Sequence, residues 1–257
     1  MKKKVILISI DGMRPDGLLA TGNPFVSELE KISSYTYEAR SMTPSVTFPC
    51  HFSMTHSVTP ARHGILTNTY VPEVRPVTGL FEKIKALGGV SAMFYGWEPL
   101  RDIAKPGALK LATYINSYMR ESVDTALTDE AIRVIDEFSP DFVLLYMVDT
   151  DEKGGHDSGW MTEEYLKRVS IAIDNARRII ERYSGEYSVI ITSDHGGHDR
   201  SHGTEMPEDM IIPMFFIGER FERGRVLSDV TLLDIAPTVA DIMGMEPDSD
   251  WEGRSVI

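Results

Sequence analysis

The chain has 257 residues, of which 42% are hydrophobic and 25% charged, and its formal net charge is −13. This length and composition exclude a disordered chain and are enough for one large domain with a sizeable core. The acidic excess argues against a nucleic-acid partner, and every apolar run is too short to cross a bilayer. The single cysteine, Cys50, cannot form an internal disulfide, and no small-residue cleavage site follows the first apolar run. We therefore expect a cytoplasmic chain with no membrane partner, and the sequence does not indicate its oligomeric state.

Strand and helix patterns alternate along the chain, which is typical of an α/β fold. Apolar runs rich in β-branched residues predict strands at residues 5–10, 90–95, 142–148, 188–192 and 214–217. Helical periodicity predicts helices at about residues 123–138, from about residue 162 onward, and at about residues 237–243. We expect a three-layer α/β/α sandwich with a largely parallel central sheet, in a single domain of residues 1–257. The weak periodicity of residues 97–122 predicts a small cap there.

Aspartate and histidine side chains follow three of the predicted strands, where open α/β sheets collect their ligands. A single aspartate in such a place is usually a helix cap or a turn residue. The recurrence of both residue types beside glycines instead predicts a cluster that binds zinc or a similar divalent ion. The residues concerned are Asp11, Asp149, Asp151, His156, Asp194, His195, His198 and His202.

A candidate nucleophile lies in the segment of residues 42–51, which reads as a loop that enters a helix. Its serine and threonine hydroxyls would lie at a helix N-terminus, where backbone N–H groups and the helix dipole favour an anion such as a phosphate oxygen. Contact with a metal ion would lower the pKa of such a hydroxyl and make it nucleophilic. An ordinary N-cap is equally consistent with the spacing, so the residues alone leave both interpretations open.

Four ordered blocks resemble the alkaline phosphatase superfamily, in its type I phosphodiesterase/nucleotide pyrophosphatase branch. They extend over nearly the whole chain, and the ordered set is far more specific than any single block. A weaker fifth block lies at residues 233–238, followed by Gly253-Arg254-Ser255. The four blocks are Ser9-Ile10-Asp11-Gly12-Met13-Arg14-Pro15-Asp16; Thr47-Phe48-Pro49-Cys50-His51 with residues 60–68; Asp151 with Gly155-His156; and Ser193-Asp194-His195-Gly196-Gly197 with His202-Gly203.

The resemblance implies an alkaline-phosphatase-like core with a two-zinc site, although manganese is an alternative. It also implies that Thr47 is the nucleophile of a covalent phosphothreonine intermediate. Asn68 would bind a phosphoryl oxygen and, with the backbone N–H near Phe48, complete an oxyanion pocket. The implied ligands are Asp11, Thr47, Asp194 and His195 for one ion, and Asp151, His156 and His202 for the other.

Two positions depart from the family pattern. Asp151 stands five residues before His156, where the family usually has four, so Asp149 is an alternative ligand and Glu152 a poorer one. Cys50 occupies a position where many relatives carry asparagine; a soft metal ligand and a redox residue are alternatives, but we interpret it as a partly buried structural cysteine. Three further histidines, His51, His63 and His198, are expected to orient ligands or support the structure.

The resemblance leaves several functions in competition. Sulfatases are disfavoured because the Cys/Ser-x-Pro-x-Arg motif is absent after Cys50, and phosphoglycerate mutases are longer chains with an added domain. A phosphodiesterase acting on small phosphodiesters or nucleotide derivatives is the preferred prediction. A phosphomonoesterase is the first alternative, since Arg14, Arg62, Lys153 and Arg200 could supply the extra positive charge that it needs. A non-catalytic metal-binding regulatory domain is the second.

Overall fold

A central seven-stranded sheet organises the computed structural model, which describes residues 3–257. The order across the sheet is β2-β7-β6-β1-β5-β3-β4. Every neighbouring pair is parallel except those that β7 makes with β6 and with β2. The strands are β1 (Lys4–Ile10), β2 (Ser34–Arg40), β3 (Ser91–Tyr95), β4 (Leu111–Tyr114), β5 (Phe142–Met147), β6 (Tyr187–Thr192) and β7 (Ile211–Ile217). The predicted α/β fold with a largely parallel sheet is therefore confirmed.

Helices cover both faces of this sheet, which gives the expected three layers. On one face α1, α2 and α6 pack around α7, and on the other α3, α4 and α5 lie with α9. The short α8 leads directly into β7. The helices are α1 (Pro15–Ala20), α2 (Pro24–Ile32), α3 (Thr47–His56), α4 (Pro60–His63), α5 (Leu80–Ala86), α6 (Val123–Phe138), α7 (Glu163–Tyr183), α8 (Pro207–Met210) and α9 (Ile235–Met243).

The three helices predicted from periodicity form where their sequence signals place them. In α7 the Thr162 side chain accepts a hydrogen bond from the Tyr165 N–H, and the apolar stripe is buried against the sheet. The end of α6 is set by Ser139, which adopts a left-handed conformation just before Pro140. Gly244 ends α9 in the same conformation, which glycine adopts without steric cost.

The predicted strands are also present, but β2 and β4 carry no sequence signal that identified them. Both lie at sheet edges and expose alternate residues, so neither is a continuous apolar run. Because β4 extends the main sheet beside β3, part of residues 97–122 belongs to the core architecture. The remainder contains two short 3-10 helices, at Glu98–Ile103 and Ser117–Met119. The small cap expected there stays a prediction.

None of the helices formed by the described residues combines the length and the apolar composition that crossing a bilayer requires.

Candidate metal centre and active site

The first group of candidate ligands lies at the carboxyl ends of β1 and β6, which are adjacent parallel strands. Asp11 directly follows β1, while Asp194 and His195 follow β6. Nε2 of His195 lies 3.3 Å from Oδ1 of Asp11 and 3.4 Å from Oδ2 of Asp194. All three side chains are buried. The sheet order thus brings together residues that are more than 180 positions apart in sequence.

The second group lies beyond β5, the other neighbour of β1. Its chain continues into a π-helical segment, Thr150–His156, which carries both Asp151 and His156. Nε2 of His156 lies 3.4 Å from Oδ2 of Asp151, and Nε2 of His202 lies 4.0 Å from Oδ1. One atom from each of Asp151, His195 and His202 can be chosen so that all three lie within 4.8 Å of one another, which is compact enough for one ion. His195 therefore lies between the two groups.

The three histidines share one hydrogen-bonding arrangement. Nδ1 of each lies within 3.0 Å of a backbone carbonyl, that of Gly196 for His195, Arg200 for His156 and Ser45 for His202. A carbonyl only accepts, so Nδ1 carries the proton and Nε2 presents its lone pair to the carboxylates. Burial, with the neighbouring His195, lowers the pKa of His202 to about 3, so this ring is neutral. Such fixed, neutral imidazoles are typical of metal ligands.

The carboxylates of the two groups are buried and incompletely satisfied. Asp11 Oδ1, Asp151 Oδ1 and Asp194 Oδ2 have no hydrogen-bond partner among the described residues. Burial raises the pKa of Asp11 and Asp151 well above the ordinary value, and the nearby Asp194 raises both further. Buried anions this close together need a compensating cation. The donor set of carboxylate oxygens and imidazole nitrogens therefore fits divalent ions such as zinc.

Thr47 is the first residue of α3, and its hydroxyl does not act as a helix cap. The N-cap is Val46, which contributes no side-chain hydrogen bond. Oγ1 of Thr47 instead lies 3.1 Å from Nε2 of His195. Because this imidazole nitrogen is unprotonated, the hydroxyl is the donor in that contact. The structure thus places the hydroxyl beside the first ligand group, as a nucleophile requires.

Asn68 lies beside the same helix N-terminus. Its side-chain oxygen accepts a hydrogen bond of 3.0 Å from the backbone N–H of Phe48. The N–H of Phe48 is therefore occupied by Asn68, and the expectation that it completes an oxyanion pocket is not met in this arrangement. The same bond orients the Asn68 amide, so that its NH₂ group is the donor left for a ligand.

The structure also separates the three acidic candidates that follow β5. Asp149 caps the start of α6, accepting the Val123 N–H at 2.9 Å, and forms an ion pair of 2.7 Å with Lys153. Glu152 lines the mouth of the cleft and accepts a hydrogen bond from the Tyr118 hydroxyl. Only Asp151 of the three contacts both His156 and His202.

Trp160 is a structural element of the site that the sequence analysis missed. Its indole N–H donates to the Gly12 carbonyl at 2.9 Å, and its ring lies against Gly155 and Gly197. A Cβ atom at Gly155 would lie 2.5 Å from this ring, and one at Gly197 would lie 2.2 Å from it. The indole therefore leaves no room for a side chain at Gly155 or Gly197, whereas Gly12 has a positive φ, and a Cβ atom there would lie 2.9 Å from Oδ1 of Asp151. The glycines beside Asp11, His156 and His195 were the signal in the sequence that a bulky side chain packs against these segments.

Tyr146 supports the first ligand group from β5. Its buried hydroxyl donates a hydrogen bond to Oδ2 of Asp11, which leaves Oδ1 directed toward His195. His51 packs edge-on against the Tyr146 ring, with 5.0 Å between ring centroids, and its Nδ1 lies 2.8 Å from the Thr47 carbonyl and 3.3 Å from Oδ2 of Asp194. This position agrees with the expectation that His51 orients site residues.

The other residues singled out from the sequence lie outside the two ligand groups. Cys50 is fully buried beside Ser41, and burial raises the pKa of its thiol to about 12. His63 bonds the hydroxyl of Ser53 inside the fold. His198 pairs with the buried Asp209 at 2.7 Å.

A small cleft of about 50 Å³ opens onto the site. It is large enough for a phosphoryl group, so larger ester groups would have to lie at the rim. Among residues 3–257, its lining contains acidic, histidine and aromatic side chains together with Thr47 and Asn68, but no lysine or arginine. The lining residues are Asp11, Thr47, Asn68, Trp97, Tyr146, Asp151, Glu152, His156 and His202.

Comparisons with known proteins identify the family of this chain. The model of the family described as type I phosphodiesterase/nucleotide pyrophosphatase matches residues 5–214. Mouse ectonucleotide pyrophosphatase/phosphodiesterase family member 1 is 28% identical over 186 residues, which cover 64% of this chain and 20% of that protein. The 2,3-bisphosphoglycerate-independent phosphoglycerate mutase of Clostridioides difficile is 29% identical over 154 residues, which cover 58% of this chain and 29% of that protein. The chain thus corresponds to less than a third of the length of these curated relatives.

Solved structures share the fold at low sequence identity. Murine ectonucleotide pyrophosphatase/phosphodiesterase 5, in complex with AMP, superimposes with a TM-score of 0.81 at 13% identity, covering 95% of this chain and 96% of that one. A 2-O glycosaminoglycan sulfatase superimposes with a TM-score of 0.77 at 14% identity, and the match covers 100% of this chain and 73% of that one. Since the family model covers most of the chain, this protein belongs to the type I phosphodiesterase/nucleotide pyrophosphatase family.

Proposed function

We propose that this chain is a metal-dependent phosphoric ester hydrolase that cleaves phosphodiesters, including the pyrophosphate-linked diesters of nucleotides. The observation that carries the proposal is the position of Thr47 Oγ1, 3.1 Å from His195 and beside two groups of carboxylates and imidazoles whose carboxylates are buried. Membership of the phosphodiesterase family supports the same reaction class.

The proposed cofactors are two divalent ions, with zinc favoured by the ligand chemistry. Asp11, Thr47, Asp194 and His195 would hold one ion, and Asp151, His156 and His202 the other. Bound ions of this kind lower the pKa of a coordinated hydroxyl and stabilise charge on phosphoryl oxygens. The three unpartnered carboxylate oxygens support this assignment, because each is buried and lacks a compensating positive charge.

The proposed reaction has two steps, and each uses named groups of this chain. Thr47 Oγ1 attacks phosphorus as the bond to the leaving ester oxygen breaks; the hydroxyl proton passes to the solvent, and the leaving oxygen takes a proton from the solvent. The Asn68 NH₂ group donates to a phosphoryl oxygen, and the N-terminus of α3 favours the same negative charge. Water then attacks the threonine-bound phosphoryl group, which still carries the second ester group; one water proton restores the Thr47 hydroxyl, and a phosphomonoester is released.

The charge of the cleft favours a diester over a monoester. A monoester carries an additional negative charge at the reacting phosphate, yet none of the basic side chains that the structure describes lines the cleft. Arg14 is engaged with Asp16 and the Gly197 carbonyl, and Lys153 with Asp149. Arg62 bonds the Arg75 carbonyl, and Arg200 is absent from the lining. Phosphomonoesterase activity therefore remains the second candidate.

The natural substrate is proposed only as a class, namely small phosphodiesters or nucleotide derivatives. A shallow site with its ester groups at the rim is consistent with that class. The cytoplasmic location expected from the sequence stays a prediction.

The test compares zinc-loaded wild type with Thr47→Ala on bis-p-nitrophenyl phosphate and p-nitrophenyl phosphate. We expect faster turnover of the diester and its loss in Thr47→Ala, by about 10³-fold or more. Thr69→Ala, on the loop that carries Asn68, is the matched control and should keep activity. Acid-quenched wild type should carry a phosphoryl adduct on Thr47, detected by mass spectrometry.

Other results would redirect the proposal. A preference for the monoester would favour the phosphomonoesterase. Zinc binding without turnover of either ester would favour the non-catalytic regulatory domain. Undiminished activity of Thr47→Ala would contradict the covalent route.

A further inference from the structure

Glu152 brings a negative charge to the mouth of the proposed active site. It follows Asp151 in the π-helical segment, is partly exposed, and lines the cleft together with Trp97. The same cleft contains the unpartnered buried oxygens of Asp11 and Asp151. Glu152 therefore lies where the ester groups of a bound phosphodiester would leave the cleft.

No basic side chain neutralises this carboxylate within the described part of the chain. The polar contact of the Glu152 side chain is with the Tyr118 hydroxyl, which donates to Oε2 at 2.8 Å. The adjacent Lys153 is held away by Asp149 and by the carbonyls of Arg120 and Glu121. The charge of Glu152 is thus oriented by a neutral phenol and stays uncompensated.

The negative field extends beyond Glu152 itself. The hydrogen bond to Glu152 raises the pKa of the Tyr118 phenol, and the charges of Glu152 and Asp157 act in the same direction. The net charge of −13 adds a long-range repulsion of polyanions. Substrates that carry additional negative charges on their ester groups would meet this field at the rim.

We propose that Glu152 is a specificity-determining residue that favours phosphodiesters with uncharged or cationic ester groups over those bearing a further phosphate. This inference rests on the proposed phosphodiesterase function and narrows its substrate class. Pyrophosphate-linked nucleotides stay within the proposed function, and Glu152 makes them slower substrates than diesters whose ester groups carry no further phosphate.

The experiment uses two substrates with the same leaving group and nucleoside. These are the p-nitrophenyl ester of thymidine 5′-monophosphate and the same ester with an added 3′-phosphate. The ratio of their kcat/KM values is measured for wild type, Glu152→Gln and Glu152→Lys. Glu38→Gln is the matched control, because Glu38 is an exposed acid with no ion pair among the described residues.

We expect wild type to prefer the ester without the 3′-phosphate. Glu152→Gln should reduce this preference by about two- to fivefold, the effect of one partly exposed charge. Glu152→Lys should reduce it further, and Glu38→Gln should leave it unchanged. Raising the ionic strength should shrink the difference between wild type and Glu152→Gln.

A binding measurement separates this inference from the proposed function. Calorimetric titration of zinc-loaded Thr47→Ala, with and without Glu152→Gln, gives the affinity for both esters without turnover. An unchanged affinity ratio, or an equal change in Glu38→Gln, would overturn the role of Glu152. Absence of turnover in wild type with an affinity ratio that still depends on Glu152 would count against the hydrolase proposal alone.

Discussion

The side-chain oxygen of Asn68 accepts a hydrogen bond of 3.0 Å from the backbone N–H of Phe48, the residue after Thr47. This bond ties the loop that carries Asn68 to the N-terminus of α3. It fixes which end of the amide faces the cleft, because a backbone N–H can pair only with the oxygen. The Asn68 NH₂ group is therefore the donor available to a phosphoryl oxygen.

Replacement of this donor should lower turnover more than substrate affinity. Asn68→Asp keeps an oxygen acceptor for Phe48 but removes the NH₂ donor, and we expect kcat to fall by roughly 10²-fold. Steady-state kinetics with bis-p-nitrophenyl phosphate would measure the fall in kcat. The metal content of the variant should equal that of wild type, as the control. A variant as active as wild type would show that Asn68 serves only the loop structure.

The second-site ligand can be identified by metal analysis of two neighbouring variants. Asp151→Asn removes the carboxylate that contacts His156 and His202, so this chain should lose about one metal ion. Asp149→Asn should keep both ions and lose stability, since Asp149 caps α6 and pairs with Lys153. Loss of an ion in the Asp149 variant alone would reverse the assignment.

Trp160 should control the geometry of the ligand segments. Trp160→Phe keeps a ring against Gly155 and Gly197 but removes the N–H bond to Gly12. For Trp160→Phe we expect weaker metal binding and a lower kcat, with little change in KM. Trp160→Leu should also lower the melting temperature, because it removes much of a buried ring. Metal titration followed by Trp fluorescence would measure the first effect. Trp251→Phe, on the C-terminal segment, is the matched control and should bind metal normally.

The thiol of Cys50 should be inert in the native protein. Its side chain is fully buried, and burial raises its pKa to about 12, so the reactive thiolate is scarce at neutral pH. A colorimetric thiol reagent should label the denatured chain once and the native chain negligibly. Rapid labelling of the native protein would indicate a redox or ligand role for Cys50 instead.

Metal stabilisation should increase with pH. Burial and the nearby Asp194 raise the folded-state pKa of Asp11 and Asp151, so their protonated forms stabilise the metal-free fold at acid pH. This contribution is lost as the pH rises through the raised folded-state pKa. Bound zinc replaces those protons, so its stabilising effect should be larger at about pH 8 than at about pH 5.

Thermal unfolding with zinc or with a chelator, at both pH values, would measure the difference. We expect the zinc-induced shift in melting temperature to be roughly 5 °C larger at the higher pH, because 1 kcal/mol corresponds to about 2–4 °C in a chain of this size. A shift that is larger at acid pH would contradict the assignment of Asp11 and Asp151 as ligands.

Local sequence signals determined much of the architecture. The apolar runs that became β1 and β5 are buried on both faces, so their composition alone identifies them as central strands. The residues that follow these strands could be predicted to meet, because parallel strands end at the same edge of the sheet. The edge strands β2 and β4 left no such signal, since their alternate residues face solvent.

Only the tertiary structure decided which neighbouring side chain faces the site. Asp149 and Asp151 are both buried and two residues apart, yet a π-helical turn directs them to different partners. The indole of Trp160 contacts three segments that are distant in sequence, and no local pattern encodes that packing. Side-chain direction and long-range contact depend on how the elements pack, so the sequence could define the chemistry of the site but not its final geometry.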